Sequence, residues 1–133
     1  MNRLKEVEVD KTNRPSHYTQ HHVECQDFRR GLPAPLSDAA KHRWRRGSKE
    51  TPWEDHSSMQ WFVRDFISHI EEYEPLPTGK AARMALQILL CGTTMSDSCA
   101  QDLLAIIDLA TQRDMEPAIT RLLHKAPSIK VAA

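Results

Sequence analysis

The sequence predicts an all-α protein in which an irregular, polar N-terminal segment precedes a bundle of four or five helices. The 133 residues include only 4 glycines and 6% aromatic residues, a composition that does not favour a strand-rich fold with many tight turns. Apolar residues recur at steps of three and four, and helix-capping patterns precede them. A chain of this length forms one domain with a modest core. We divide it into a loop-rich segment 1–35, a helical pair 36–75 and C-terminal helices 76–133 packed in the same domain.

The first segment shows no sustained hydrophobic period and contains three prolines, which indicates loop with one short element near residues 23–30. The first full helix is expected over residues 38–46. Ser37 would cap its N-terminus, basic residues fill its last turn, and Gly47 would end it.

The next helix has the strongest start signal in the chain. Thr51 precedes a proline at the first helical position, and Glu54 lies where it can return the capping bond. The apolar stripe that follows predicts one helix of about 22 residues that ends before Pro75. The stripe consists of Met59, Phe62, Val63, Phe66, Ile67, Ile70 and Tyr73.

Three further helices are expected in the second half. Residues 79–91, opened by Thr78, are apolar on most sides and should form the most buried helix. Ser98 and Gln101 form a second capping box, and a last helix covers residues 116–125. The apolar residues of these last two helices would be core or, alternatively, a surface for a partner or for self-association; they are Leu103, Leu104, Ile106, Ile107, Leu122 and Leu123.

The charges of the chain balance overall but not locally. Lysine and arginine together number 18, as do aspartate and glutamate, so the net charge gives no argument for nucleic acid or an anionic membrane. Residues 1–50, however, carry 11 basic and 7 acidic side chains, whereas residues 51–75 carry 1 and 6. A cationic helix end near Lys49 should therefore meet an anionic helix start at Glu54.

The sequence also bears on location and redox state. It has no apolar run of roughly 20 residues and no apolar signal segment at its start, so we expect a cytoplasmic protein that makes no membrane contact. Three cysteines, an odd number in such a protein, predict free thiols.

Residues 13–67 contain four short motifs that form a known pattern. Residues 13–18 read Asn-Arg-Pro-Ser-His-Tyr, a Val-Glu pair follows at 23–24, residues 41–49 fit Lys-x-x-x-Arg-x-Gly-x-Lys, and Glu-Asp at 54–55 precedes Gln-Trp-Phe at 60–62. This pattern resembles a family of small phage proteins of nucleotide kinase-like type, which includes an enzyme that phosphorylates deoxynucleoside monophosphates without a P-loop. The resemblance implies a phage protein that binds deoxynucleotides, with a nucleotide pocket formed by Ser16, His17 and Tyr18.

The chain departs from that family at several positions. A Gly-Asn pair is replaced by Ser37 and Asp38, a tyrosine by His42, and the leucine and lysine positions after Glu-Asp by His56, Ser57 and Ser58. If the family uses lysines at these positions to bind phosphate, part of that phosphate-binding set is missing in this chain.

The residues themselves offer a phosphate site at the basic helix end. Lys41, Arg45 and Lys49, spaced by four, share a helix face, and Arg43 and Arg46 flank them. Guanidinium groups bind phosphate oxygens in pairs and lysine adds a mobile charge, so a phosphate is a suitable ligand. The alternative is a solvated helix end that stabilises its own dipole.

The acidic helix start offers a metal site. Phosphoryl transfer needs a cation, usually Mg²⁺ on one or two carboxylates, and Glu54 with Asp55 matches the family's acidic pair. The alternative is that both serve the helix start. A zinc site is a weaker alternative, because His17 and His21 form only one pair with ligand spacing.

Two further observations limit the chemistry. A phosphate-cradling P-loop is excluded, because Gly79-Lys80 is followed by alanine and lacks the earlier glycine. The three tryptophans could stack a base, although packing is the expected role of Trp53 and Trp61.

These patterns support two functions of different class. The first is a cytoplasmic phage protein that binds deoxynucleotides and transfers phosphate from a nucleoside triphosphate to a monophosphate. The second is a non-catalytic anti-defence or host-takeover protein that binds and inhibits a host protein or protein–nucleic-acid complex; a homo-oligomer is compatible with both. A small DNA-binding regulator ranks last, because only the basic run at 41–49 supports it.

Overall fold

The computed structural model describes residues 25–45, 52–91 and 95–124. Within these ranges the chain forms six α-helices and no strand, so the all-α prediction is confirmed. The helices are α1 (Cys25–Arg29), α2 (Ala34–Arg45), α3 (Pro52–Ser68), α4 (Thr78–Leu89), α5 (Asp97–Thr111) and α6 (Met115–Leu122), with a 3₁₀ turn at Ile70–Glu72.

Helices α2 and α5 form the centre of the bundle. α2 packs against α1, α3 and α5, and α5 packs against α4 and α6 as well. One continuous hydrophobic cluster runs through these contacts, with Leu36, Phe66 and Leu103 fully buried. Burying each such side chain stabilises the fold by about 1.5–3 kcal/mol. None of the helices in the described ranges has the length and apolar character needed to cross a membrane.

α2 begins earlier than the sequence suggested. The prediction that Ser37 caps it is wrong, because the Ser37 amide already donates to the Pro33 carbonyl at 2.8 Å. Pro35 is accommodated in the first turn, where its missing N–H needs no partner. The Ser37 hydroxyl instead accepts a 3.0 Å hydrogen bond from Arg29 Nε, which joins α2 to α1.

α3 ends earlier than predicted. It stops at Ser68 rather than continuing to Tyr73, and His69 leads into the 3₁₀ turn. The apolar stripe continues across this break because Tyr73 still stacks on Phe66, with ring centroids 5.3 Å apart. Hydrophobic spacing therefore predicted the packing face correctly but not the end of the helix.

The prediction that α4 is the most buried helix is wrong. Only Ala81, Met84 and Ile88 are buried in α4, whereas eight of the fifteen residues of α5 are buried. Leu86, Leu89 and Leu90 remain 55–65% exposed. α4 packs one apolar face on α5 and leaves a second apolar face open.

The apolar residues of α5 and α6 belong to the core rather than to a partner surface. Those that are buried are Leu103, Ile106, Ile107 and Leu122, and those that are partly buried against the cluster are Leu104 and Leu123. The core or packing role expected for Trp61 is wrong, since Trp61 is 60% exposed, although its ring makes a T-shaped contact with Phe62 at a centroid distance of 5.1 Å. Trp44, by contrast, is buried against Phe28.

α5 is capped two residues before the predicted box. Ser96, not Ser98, is the N-cap, and its hydroxyl accepts a 3.1 Å hydrogen bond from the Cys99 amide. The box at Ser98 therefore falls inside the helix. α6 occupies only Met115–Leu122, and Gln60 of α3 donates to the carbonyl oxygens of Leu122, its last residue, and of His124 beyond it.

Candidate functional site

The predicted phosphate residues that the structure describes lie on the accessible side of α2. Lys41 and Arg45 are both half-buried and lie one turn apart. His42 falls within the same arc of about 100° around the helix. Arg43 does not flank them as expected, because its side chain is buried on the opposite side of α2.

A buried carboxylate holds His42 in place. His42 Nδ1 donates to Asp55 Oδ1 at 2.8 Å, and the Asp55 side chain is only 4% exposed. The imidazole also stacks on Phe62 at a centroid distance of 5.7 Å. Because the carboxylate accepts from Nδ1–H, Nε2 of the neutral ring is left as an acceptor. This bond joins the last turn of α2 to the first turn of α3.

Three cationic side chains, Arg29, Lys41 and Arg45, lie close enough to Cys25 to act on its thiol. Burial raises the pKa of the Cys25 thiol to about 12, while the nearby charges of Arg29, Lys41 and Arg45 act in the opposite direction. The thiol is therefore neutral at ordinary pH and is not a nucleophile. Arg29 is paired with Asp38, whose carboxylate lies 3.4 Å from its Nη2, whereas Lys41 and Arg45 are both partly exposed on α2.

The predicted magnesium pair is not formed by this geometry. Glu54 is exposed, whereas Asp55 is buried and bound to His42. Consecutive helix residues point about 100° apart, so the two carboxylates do not converge on one ion. The described ranges contain no group of three or more acidic, histidine or cysteine side chains that could hold a metal.

Ser37, Asp38 and His56 have structural roles in this chain. Ser37 and Asp38 bind Arg29 and so fix α1 on α2, and His56 Nε2 lies 3.4 Å from the His124 carbonyl oxygen after α6. His42 presents an imidazole that is held by Asp55. The remaining predicted site residues, Ser16, His17, Tyr18 and Lys49, lie outside the described residues.

One feature of this site was not predicted from the sequence. The His42–Asp55 pair was not anticipated, although a histidine and a carboxylate on adjacent helix ends were a visible signal. The cysteines, by contrast, agree with expectation, since all three are buried free thiols. Comparisons with protein-family models, curated proteins and solved structures found no match. The chemistry of the chain's own residues is therefore the guide to its function.

Proposed function

We propose that this protein binds a deoxynucleotide through the accessible side of α2. The observation that carries the proposal is the arc formed by Lys41, His42 and Arg45, in which two cations lie beside an imidazole that a buried carboxylate orients. Arg45 can bind two phosphate oxygens in its fork, and Lys41 adds a compact charge. His42 Nε2 can accept a hydrogen bond from a sugar hydroxyl, or serve as a third cation when protonated.

The family resemblance extends the proposal to phosphoryl transfer between a nucleoside triphosphate and a monophosphate. Ser16, His17, Tyr18 and Lys49 would then complete the nucleotide pocket. No role in that transfer is assigned to Glu54 and Asp55 as a Mg²⁺ pair, because their side chains diverge. The binding test therefore includes arms with and without Mg²⁺, and dNMP with ATP tests transfer directly.

The test is a ¹H–¹⁵N NMR titration of the 15.2 kDa chain with dTMP and dTTP. We expect the α2 amides at residues 41–45 to shift with saturable curves. Lys41→Gln and Arg45→Gln should each weaken binding about tenfold or more, because a hydrogen bond to a charged group is worth roughly 1.5–3 kcal/mol. Arg64→Gln is the matched control, since Arg64 is an exposed arginine on α3. Unchanged α2 amides with every nucleotide would contradict the proposal.

A second candidate is supported by the open face of α4. We propose, as the alternative, a non-catalytic anti-defence or host-takeover protein whose target covers that face. Leu86, Leu89 and Leu90 follow helical spacing and are more than half exposed. A helix that is apolar on two sides is usually buried on both, and exposed apolar patches mark protein contacts.

Two experiments distinguish the two candidate functions. A pull-down from bacterial lysate should recover a specific protein with the wild-type chain and lose it with Leu86→Gln/Leu89→Gln, while Trp61→Gln retains it. Light scattering on the purified chain shows whether a second copy covers the face instead. Nucleotide binding that persists in the leucine variant, with no partner recovered, would favour the first candidate.

A further inference from the structure

A second cationic site lies away from the α2 face. A cavity of about 340 Å³ lies between the turn that follows α1 and one side of α4. Its floor is apolar, formed by the buried side chains of Phe28 and Met84. Gly31 brings the turn close to α4, because a Cβ at this position would lie 2.8 Å from the Met84 sulfur. The volume is at the lower end of the range for small-molecule sites.

The rim of this cavity is strongly basic. Among the described residues that line it, Arg30, Lys80 and Arg83 are basic and Asp27 is the one carboxylate. Asp27 pairs with Arg30 at 3.4 Å. Among the described residues, no acidic group pairs with Lys80 or Arg83. The positive charges of Lys80 and Arg83 at the cavity therefore have no acidic partner among the described residues.

The placement of these cations is unfavourable for the helix itself. Lys80 lies in the first turn of α4, where the helix dipole disfavours positive charge. Arg83 follows three residues later on the same side, so the two like charges repel. Positions that break such local rules without a compensating contact are typical of functional sites.

We propose that this cavity binds a small phosphate monoester, with the phosphate on Lys80, Arg83 and Arg30 and the organic part against Phe28 and Met84. A dianionic phosphate presents three acceptor oxygens, which matches donors that approach from three side chains. A phosphate fills only part of 340 Å³, so the apolar floor is left for a sugar or base. This site uses none of the α2 residues, and it goes beyond the function proposed above.

The test is an NMR titration of the full chain with inorganic phosphate, ribose 5-phosphate and dTMP, read at the cavity amides of Gly31, Lys80, Arg83 and Gln87. We expect saturable shifts with both esters, and binding at least fivefold tighter than that of inorganic phosphate, because only the esters reach the floor. Lys80→Gln and Arg83→Gln should each weaken the cavity curve about tenfold or more. Arg64→Gln should leave it unchanged.

A stability readout separates a ligand site from a structural role. Since Lys80 opposes the helix dipole, Lys80→Gln should leave Tm unchanged or raise it while binding falls. A lowered Tm in Lys80→Gln would overturn the proposal, as would cavity amides that do not respond to any ester or a response that survives both substitutions. The cavity and α2 curves are read at different residues, so failure here is distinct from failure of the proposed deoxynucleotide site.

Discussion

The buried ion network around Asp102 yields the sharpest stability prediction. Asp102 on α5 accepts from Arg43 Nε on α2 and, at 2.7 Å, from Arg121 Nε on α6. Arg43 and Asp102 are 5% and 10% exposed, whereas Arg121 is 36% exposed. Three helices thus meet on one carboxylate, which makes Asp102→Ala the informative change.

The magnitude follows from what the substitution leaves behind. Without Asp102, the Arg43 guanidinium stays buried, and among the described residues it keeps the Ser98 hydroxyl, 3.4 Å from its Nη2, as a hydrogen-bond partner. Removing one partner of a buried ion pair costs about 3–5 kcal/mol. Arg121→Gln leaves the Arg43 pair intact and removes a half-exposed contact, so it should cost about 1 kcal/mol or less.

Urea denaturation at pH 7 measures both changes. With an m-value of about 2 kcal/mol/M, Asp102→Ala should lower the unfolding midpoint by about 2 M. The double variant Arg43→Met/Asp102→Leu should recover most of this loss, because the uncompensated charge is gone. The reasoning is refuted if Asp102→Ala costs less than about 1 kcal/mol, or if Arg121→Gln costs as much as Asp102→Ala.

The remaining predictions concern a thiol, a glycine and a histidine. Burial raises the pKa of Cys25 from the ordinary 9.0 to about 12, so the contribution of the neutral thiol to stability should be full below pH 9 and be lost between pH 9 and 12. Alkylation of Cys25 in the native protein at pH 8 that is as fast as in urea would contradict this burial. Gly31→Ala should cost about 1–2 kcal/mol by displacing Met84, and the loss should shrink in a Met84→Ala background; an equal loss in both would exclude the predicted clash. The hydrogen bond to the Asp65 carbonyl raises the pKa of His69, so the NMR titration midpoint of His69 should lie above 6.5. The stabilisation by this hydrogen bond should be full below pH 6.5 and be lost as the pH rises through the folded-state pKa, and a midpoint at or below 6.5 would contradict the contact.

Local patterns predicted the features that depend on local chemistry. Helical spacing placed Lys41 and Arg45 on one face, whereas the hydrogen bond between His42 and Asp55 was not predicted from the sequence. The buried partner of Arg43 lies 59 residues away, so no short-range pattern could assign it. The side of α2 that Arg43 faces follows only from packing against α5.

The error over α4 has a physical cause as well. Its sequence is apolar on most sides, and periodicity alone reads such a helix as fully buried. Within the described residues α4 packs mainly on α5, and the side chains of Leu86, Leu89 and Leu90 on its other face stay more than half exposed. Lys80 and Arg83 likewise lie at the rim of a cavity that no sequence motif predicted.

The central claim is that the α2 face binds a deoxynucleotide phosphate. Its most direct test is the dTMP titration followed at the amides of residues 41–45 in the wild-type chain and in Lys41→Gln/Arg45→Gln. The account predicts a saturable curve in the wild-type chain that weakens about 100-fold or more in the double variant, since two charge-assisted contacts are lost. The same curve in both proteins, or no shift in either, would contradict it.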